Sequence, residues 1–163
     1  SKDHPDVVIQ TCRNWTDDSN SKRSKLIRHA TRTLVKSGHP EVFGLLGYSE
    51  SLKLSVLSLQ VDQQHIELGE AINFSALIKS TSSKQQRVVI DYAVHLVKGN
   101  GRRAAKVFKL KSVTIEPGGT IELHRSHPFK KIRTRKYYAG QQAIELMING
   151  VGYGQTDFEL SIP

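Results

Sequence analysis

The feature that most constrains this fold is an alternation of apolar and polar side chains, which begins near Leu52 and continues almost to the end of the sequence. A period of two places every second side chain on the same face of a β-strand, so each alternating segment predicts a strand with one buried face. The clearest faces are Ile72, Phe74, Ala76 and Ile78 in one segment, and Val88, Ile90, Tyr92, Val94 and Leu96 in the next. The alternation predicts a fold that is mainly β.

Turn signals divide this region into seven or eight short strands. Gly99-Asn-Gly101 and Pro117-Gly-Gly119 separate strands predicted at residues 105–110 and 113–115 from their neighbours. Asn149-Gly150 between Ile148 and Val151 is typical of a two-residue β-hairpin. Short antiparallel strands over roughly 110 residues predict an immunoglobulin-like β-sandwich. The cysteine pair common in such domains is absent, so this sandwich must be held together by packing alone.

The sequence before Tyr48 has a helical period instead. Asp3 or His4 can cap a helix with Pro5 in its first turn, a second helix is predicted at residues 21–36, and a short third helix at residues 41–46. The predicted buried residues are Val7, Val8, Cys12 and Trp15, then Leu26, Ala30, Thr33 and Leu34. Two to three helices cannot bury this apolar surface alone, so we predict the end of a HEAT-like repeat array at residues 1–48 and the sandwich at residues 49–163.

Three segments without any acidic residue carry much of the positive charge, and the formal net charge is +9. They are residues 22–36, 102–111 and 124–138. Crowding like charges adds little to folding stability, so we predict that these segments bind an acidic partner such as nucleic acid. The predicted binding residues are Lys25, Arg28 and Arg32 in the first segment, Arg102, Arg103 and Lys106 in the second, and Arg125, Lys130, Lys131, Arg133, Arg135 and Lys136 in the third.

Residues 124–138, HRSHPFKKIRTRKYY, are predicted to form a long basic loop between two strands. Pro128 lacks the N–H group that a sheet ladder needs and should therefore interrupt any strand there. A loop of this kind can project from its scaffold and reach around a duplex, so we expect it to contribute more affinity than the basic helix. For the loop and for the helix alike, the alternative is an ordinary solvated basic surface.

Other candidate sites are weaker. His124 and His127 should lie on opposite faces of a strand and are not expected to ligate one metal ion. His95 should lie on the solvated face of its strand. Asp17 and Asp18 precede a helix, where capping is the expected role of a carboxylate. We therefore predict no catalytic residue, no metal and no cofactor.

Two motifs resemble a known family. Residues 25–48, KLIRHATRTLVKSGHPEVFGLLGY, resemble the end of the helical-repeat domain in bacterial DNA alkylation repair proteins of the AlkC/AlkD type, which are alkylpurine DNA glycosylases. Residues 127–154, HPFKKIRTRKYYAGQQAIELMINGVGYG, resemble the C-terminal immunoglobulin-like domain of one AlkC subfamily. The resemblance implies that this chain is the C-terminal portion of such a protein and clasps DNA, and that the catalytic carboxylate lies upstream of residue 1.

Together these features predict a non-catalytic fragment that binds double-stranded DNA through its phosphates without sequence preference. Arg133 and Arg135 are the candidates for entering a minor groove. No apolar segment approaches the ~20 residues that span a bilayer, nothing resembles a signal peptide, and Cys12 is the single cysteine. These features predict a cytoplasmic monomer without membrane contact. The alternative is an immunoglobulin-like module that recognises a protein or an acidic glycan.

Overall fold

Four helices precede eight strands in the computed structural model, which describes residues 3–16 and 21–163. The helices are α1 (Pro5–Asn14), α2 (Ser21–Ala30), α3 (Arg32–Lys36) and α4 (Pro40–Leu45). The strands are β1 (Leu54–Val61), β2 (His65–Glu67), β3 (Ala71–Ser80), β4 (Gln86–Val97), β5 (Arg103–Ile115), β6 (Thr120–Pro128), β7 (Gly140–Ile148) and β8 (Val151–Ser161). None of the described helices is long and apolar enough to cross a membrane.

The strands form two sheets, and the predicted immunoglobulin-like sandwich is confirmed. One sheet has the order β1-β3-β6 and the other the order β2-β8-β7-β4-β5. The paired strands are antiparallel except for β2 and β8, which run parallel over three residues. This parallel edge was not visible in the sequence, because the three-residue β2 is too short to show an alternating pattern.

The inner faces of the two sheets bury the residues that the alternation predicted. Ile72, Ile78, Val88, Ile90 and Val94 are completely inaccessible to solvent. Two neighbouring apolar clusters fill the interior, one of them rich in aromatic rings from both sheets. The rings of this aromatic cluster are Phe74, Tyr92, Phe129, Tyr137 and Phe158, with Phe108 packed against its margin.

Two strands are longer than the sequence pattern indicated. The sequence predicted two separate strands, at residues 105–110 and 113–115. The structure has one continuous strand, β5, from Arg103 to Ile115, and an irregularity in its pairing with Ile90 and Asp91 of β4 shifts the alternation between the two parts. β6 extends to Pro128, which pairs with Ala71 at the end of the ladder, where a missing N–H is tolerated. Residues 124–128 are therefore strand, and the prediction of a loop beginning at residue 124 was wrong.

The second predicted helix is divided at Thr31. The Thr31 hydroxyl is completely buried and donates a hydrogen bond to the carbonyl of Ile27 at 2.7 Å, and α2 and α3 lie on either side of it. The buried face contains Ile27, Thr31 and Leu34, whereas Leu26 is 51% exposed. The predicted face was one residue out of register, because the tertiary packing selected a different side of the helix. In α1 the buried residues are Ile9 and Cys12, whereas Val7 and Trp15 are exposed.

The helices pack on the outer face of the larger sheet. Ile9, Leu34, Val42 and Phe43 form an apolar cluster with Val89, a residue of β4. The segment that follows α4 is also tied to this sheet, because the Asn149 side chain donates a hydrogen bond to the Ser49 carbonyl at 2.8 Å and accepts one from the Val89 amide at 2.9 Å. These contacts hold the basic face of the helices beside β5.

Candidate nucleic-acid interface

A cleft of about 560 Å³ lies between the helices and β5. One wall carries Arg28, Arg32 and Lys36 from α2 and α3, and the other carries Lys106 and Lys109 from β5. Two of the three basic segments therefore meet at one site, although they are far apart in the sequence. The cleft is of the size that binds small molecules or a few groups of a larger ligand.

The helical wall depends on a spacing of four residues. Arg28, Arg32 and Lys36 recur at i, i+4 and i+8, which places them along one side of a helix. They remain exposed together even though the helix is divided at Thr31. The sequence contained this row, but Lys36 was not among the predicted binding residues.

The strand wall depends on the position of β5 at the edge of its sheet. Lys109 pairs with Asp91, and Lys106 pairs with Val94, whose side chain is on the buried face. The two lysines thus emerge from opposite faces of β5, an edge strand, and both are among the residues that line the cleft. The Lys106 ammonium group lies over the Phe108 ring at 5.6 Å. Lysines also protect edge strands from pairing with other chains, and this structural role is the alternative explanation for them.

The charge of the cleft is only partly offset by an acid, because Asp91 interacts electrostatically with Lys109 and Lys36. Elsewhere in the described part of the chain, Arg13 forms an ion pair with Glu41, and Arg103 forms one with Asp157. Neither pair involves a cleft residue. Five positive side chains therefore line a cavity in which Asp91 is the one acid among its described lining residues.

Asp91 was not among the predicted site residues. Asp91 is 6% exposed, and this burial raises the pKa of its carboxyl group. The pKa is lowered, to a smaller extent, by the charge of Lys109, by a hydrogen bond from the Leu110 amide and by the charge of Lys36. An acid inside an otherwise apolar strand segment, VVIDYAV, was the signal that could have identified it.

The loop between β6 and β7 is anchored at both ends. Phe129 is completely buried and Tyr137 is 9% exposed, and both rings belong to the aromatic cluster. Arg135 lies over the Tyr137 ring at 5.6 Å and donates a hydrogen bond to its hydroxyl. Lys136 lies over the Tyr138 ring at 5.2 Å. Lys130, Lys131 and Arg133 are the exposed cations of the segment between the anchors that have no such ring contact.

Three cations from two of the basic segments act on His127 near the margin of the aromatic cluster. Burial, followed by Arg135, Arg125 and Lys106, lowers the pKa of His127 to about 4. Because Lys106 also lines the cleft, the positive surface extends from the helices across β5 towards β6 and the loop. The structure thus relates all three basic segments, although they do not form a single row.

The remaining predicted residues have separate surroundings. Arg103 donates hydrogen bonds to Asp157 at 3.1 Å and to Gln141 at 2.9 Å, so its charge is partly compensated. Lys25 and Arg102 are exposed and do not line the cleft.

The structure tests the predicted positions of the histidines that were not expected to bind a metal ion. His124 is exposed and His127 is buried, so their predicted placement on opposite faces of a strand is confirmed. His95 lies on the outer face of β4 as predicted, but its Nε2 is 2.7 Å from a Glu145 carboxylate oxygen rather than free in solvent. Asp17 and Asp18 lie outside the described residues, so their predicted capping role stays a prediction.

Comparison with known proteins agrees with this architecture. The family described as "Uncharacterised protein YhaZ, C-terminal Ig-like domain" matches residues 55–162. Uncharacterized protein YhaZ of Bacillus subtilis (strain 168) is 32% identical over 160 residues, which cover 98% of this chain and 44% of that protein. This chain therefore spans less than half of the length of that relative.

Solved structures show the same fold. Pseudomonas fluorescens alkylpurine DNA glycosylase AlkC, bound to DNA containing an abasic site analog, matches with a TM-score of 0.94 and 35% identity, over 98% of this chain and 44% of AlkC. A β-glucosidase from Listeria innocua matches 68% of this chain and 16% of its own, with a TM-score of 0.52 and 15% identity, and this likeness concerns the fold alone. The chain belongs to the YhaZ C-terminal Ig-like domain family and matches the C-terminal portion of an AlkC-type protein, as its two motifs predicted.

Proposed function

We propose that this chain binds duplex DNA without sequence preference, as the non-catalytic C-terminal part of a DNA alkylation repair glycosylase. The observation that carries the proposal is the cleft whose two walls present five cations and one buried acid. A cluster of this kind attracts a polyanion, and the similar AlkC protein was solved bound to DNA. The helices would then be the end of a HEAT-like array, with residues 1–48 and 49–163 as the two domains.

The proposed contacts are to phosphates rather than to bases. Arg and Lys side chains that reach phosphate oxygens position a protein on DNA without selecting a sequence. The exposed loop residues Lys130, Lys131 and Arg133 would add contacts beyond the cleft, and Arg133 remains the candidate for a minor groove. Arg135 is a weaker candidate than the sequence indicated, because its guanidinium group is held against Tyr137.

The test is fluorescence anisotropy with a short labelled duplex over a range of salt concentrations. If about five phosphates are neutralised, the logarithm of the affinity should fall against the logarithm of salt concentration with a slope of about −4 to −5. The dissociation constant at physiological salt should be on the order of 10⁻⁴ to 10⁻⁶ M, with equal values for duplexes of unrelated sequence.

Heparin provides the comparison that separates DNA binding from general affinity for acidic polymers. We expect duplex DNA to bind more tightly than heparin at matched salt concentration. Equal binding to both, or no duplex binding at low salt, would favour the alternative of a module that recognises a protein or an acidic glycan.

A further inference from the structure

We infer that the free edge of β5, together with the cleft beside it, is a docking site for an extended acidic peptide that also carries apolar side chains. The peptide would add a strand to the larger sheet, next to β5, and place alternate side chains in the cleft. This inference goes beyond the proposed function and does not rest on it, because the partner is a protein segment rather than DNA.

β5 is the last strand of the larger sheet, and one of its two edges is unpaired. At the hairpin that joins β4 to β5, the Lys98 amide donates a hydrogen bond to the Arg102 carbonyl at 2.8 Å. Bonded and non-bonded pairs alternate along an antiparallel ladder, so Ala105, Val107 and Lys109 belong to non-bonded pairs. Their N–H and C=O groups point away from β4, and among the described residues they make no backbone hydrogen bond to another element.

The cleft runs along this edge, since four consecutive residues of β5, 106–109, line it. Val107 pairs with Ala93 on the outer face of the sheet, where the helices pack, so every second side chain of an added strand would face the cleft. Half of the residues that line the cleft are apolar, and they are Val35, Leu46, Tyr48, Val89, Val107 and Phe108. In strand addition, main-chain hydrogen bonds supply affinity and pockets for alternate side chains supply specificity. The cleft is such a pocket beside an open edge.

The charge of the site selects an acidic partner. Lys106 and Lys109 are exposed on β5, and Arg28 and Arg32 line the cleft from the helices. Residues 102–111 contain no acid that could pair with the two lysines along the strand. Because side chains of opposite charge on neighbouring strands stabilise their pairing, glutamate or aspartate in an added strand would complement this edge.

Two other occupants fit the edge less well. A second copy of this chain would set the lysines of two β5 strands against one another, and like charges on neighbouring strands are destabilising. A nucleic-acid backbone offers phosphate oxygens, which only accept hydrogen bonds, so the outward carbonyl groups of Ala105 and Val107 would lose water without gaining a donor. A peptide strand supplies both donors and acceptors.

The probe is a labelled peptide of alternating glutamate and valine, about nine residues long, which spans about 30 Å as a strand. Fluorescence anisotropy measures its binding. Two control peptides carry methyl groups on the backbone nitrogens, either at every valine or at every glutamate. Each control keeps the charge of the parent peptide and loses the N–H groups of one edge. One control should bind at least about tenfold more weakly than the other, because strand addition uses only one edge of the peptide.

Two substitutions of Val107 test the edge of β5 itself. Val107→Pro removes an outward N–H group and leaves the ladder to β4 intact, as proline does in natural edge strands. Val107→Ala trims the side chain and keeps the N–H group. The proline variant should weaken peptide binding by about tenfold or more, and the alanine variant by about threefold or less. A thermal melt checks that both remain folded.

The lysines are tested by a pair of substitutions, Lys106→Gln with Lys109→Gln. This pair should weaken peptide binding by about fivefold. The matched control is Lys130→Gln with Lys131→Gln, which removes the same charge from the exposed loop and should change binding by less than about twofold.

Amide hydrogen exchange of the unsubstituted chain locates the peptide without any change to the protein. The bound peptide should slow exchange at Ala105 and Val107, whose N–H groups point outwards, and leave Ala104 and Lys106 unchanged, because these already bond to β4. Equal binding of the parent and both methylated peptides, or exchange at Ala105 and Val107 that the peptide does not slow, would overturn the proposal. Self-association of the chain that Val107→Pro abolishes would assign the edge to a second copy and overturn it as well.

Discussion

At the scale of single residues, His127 joins the aromatic core to the positive surface. Its Nδ1 atom is 2.9 Å from the Tyr92 hydroxyl, whereas its Nε2 atom has no hydrogen-bond partner among the described residues. The ring packs against Phe108 and Phe129. Protonation would create a buried charge beside three cations, so the pKa is lowered from 6.5 to about 4.

This lowered pKa predicts a loss of stability in mild acid. Between the unfolded pKa of 6.5 and the folded pKa of about 4, the unfolded chain takes up a proton that the folded chain does not. Stability should therefore fall as the pH is lowered through this window, with His127 contributing a loss of roughly 2 kcal/mol between pH 7 and pH 5. Urea denaturation at both pH values measures the difference.

His127→Phe is the informative variant, because a phenyl ring suits the surrounding aromatic rings and does not titrate. The variant should lose the Tyr92 hydrogen bond and be less stable at pH 7, but its stability should change much less between pH 7 and pH 5. An unchanged pH dependence would show that other groups cause the acid sensitivity.

At the scale of secondary-structure elements, the end of α3 and the β7–β8 hairpin depend on close contact between two glycines. Gly38 has a φ of +70°, and a Cβ atom there would lie 2.6 Å from the Gly150 carbonyl oxygen. Asn149, with a φ of +46°, forms the same turn and donates a hydrogen bond to the Ser49 carbonyl at 2.8 Å. The turn therefore positions the helices, and with them one wall of the cleft.

Gly38→Ala should be considerably more destabilising than Gly118→Ala. Gly118 has a similar φ of +66°, but a Cβ atom added there would have no neighbouring atom within 4 Å. Its substitution should cost only the strain of a left-handed backbone, about 1–2 kcal/mol. Gly38→Ala should cost a further 1–3 kcal/mol or so, from the steric overlap with Gly150. Urea denaturation of the two variants tests this, and equal losses would mean that the contact is easily relaxed.

At the scale of the whole molecule, the one acid that the described residues place in the cleft is poorly exposed for glycosylase chemistry. Release of an alkylated base requires a carboxylate that can approach the positively charged sugar or position a water molecule. Within the cleft the described acid is Asp91, which is only 6% exposed. We expect so buried a carboxylate to affect the charge of the cleft rather than to approach a deoxyribose.

We therefore expect no release of 3-methyladenine from methylated DNA above the background in buffer. Chromatography of the free bases provides the measurement, and an intact glycosylase of the AlkC type serves as the positive control. Release that Asp91→Asn abolishes would place a catalytic centre in the cleft. Release that Asp17→Asn or Asp18→Asn abolishes would place it at the start of the chain instead.

Local features of the sequence were sufficient to predict much of the fold. The alternation around Ile72 and Ile90 reports burial on one face of a strand, and the Asn149-Gly150 pair reports a turn with positive φ. Both depend on a few neighbouring residues, so they can be recognised without knowing the rest of the structure. The buried face of α2 could not be recognised in this way, because both Leu26 and Ile27 are apolar and only the tertiary packing determined that Ile27 is buried and Leu26 exposed.

The sequence by itself determined the strand faces, the main hairpin and the three acid-free basic segments, because period, turn chemistry and charge are local properties. Only the tertiary structure decided which of these charges act together. Arg32 and Lys106 line one cleft because the helices pack against Val89 and the segment after them bonds to Asn149, beside an uncovered strand edge. Arg135 is held at Tyr137 because two aromatic anchors fold the loop back onto the core. These arrangements rest on contacts between residues distant in the chain, whose free energy depends on the packing of the whole fold.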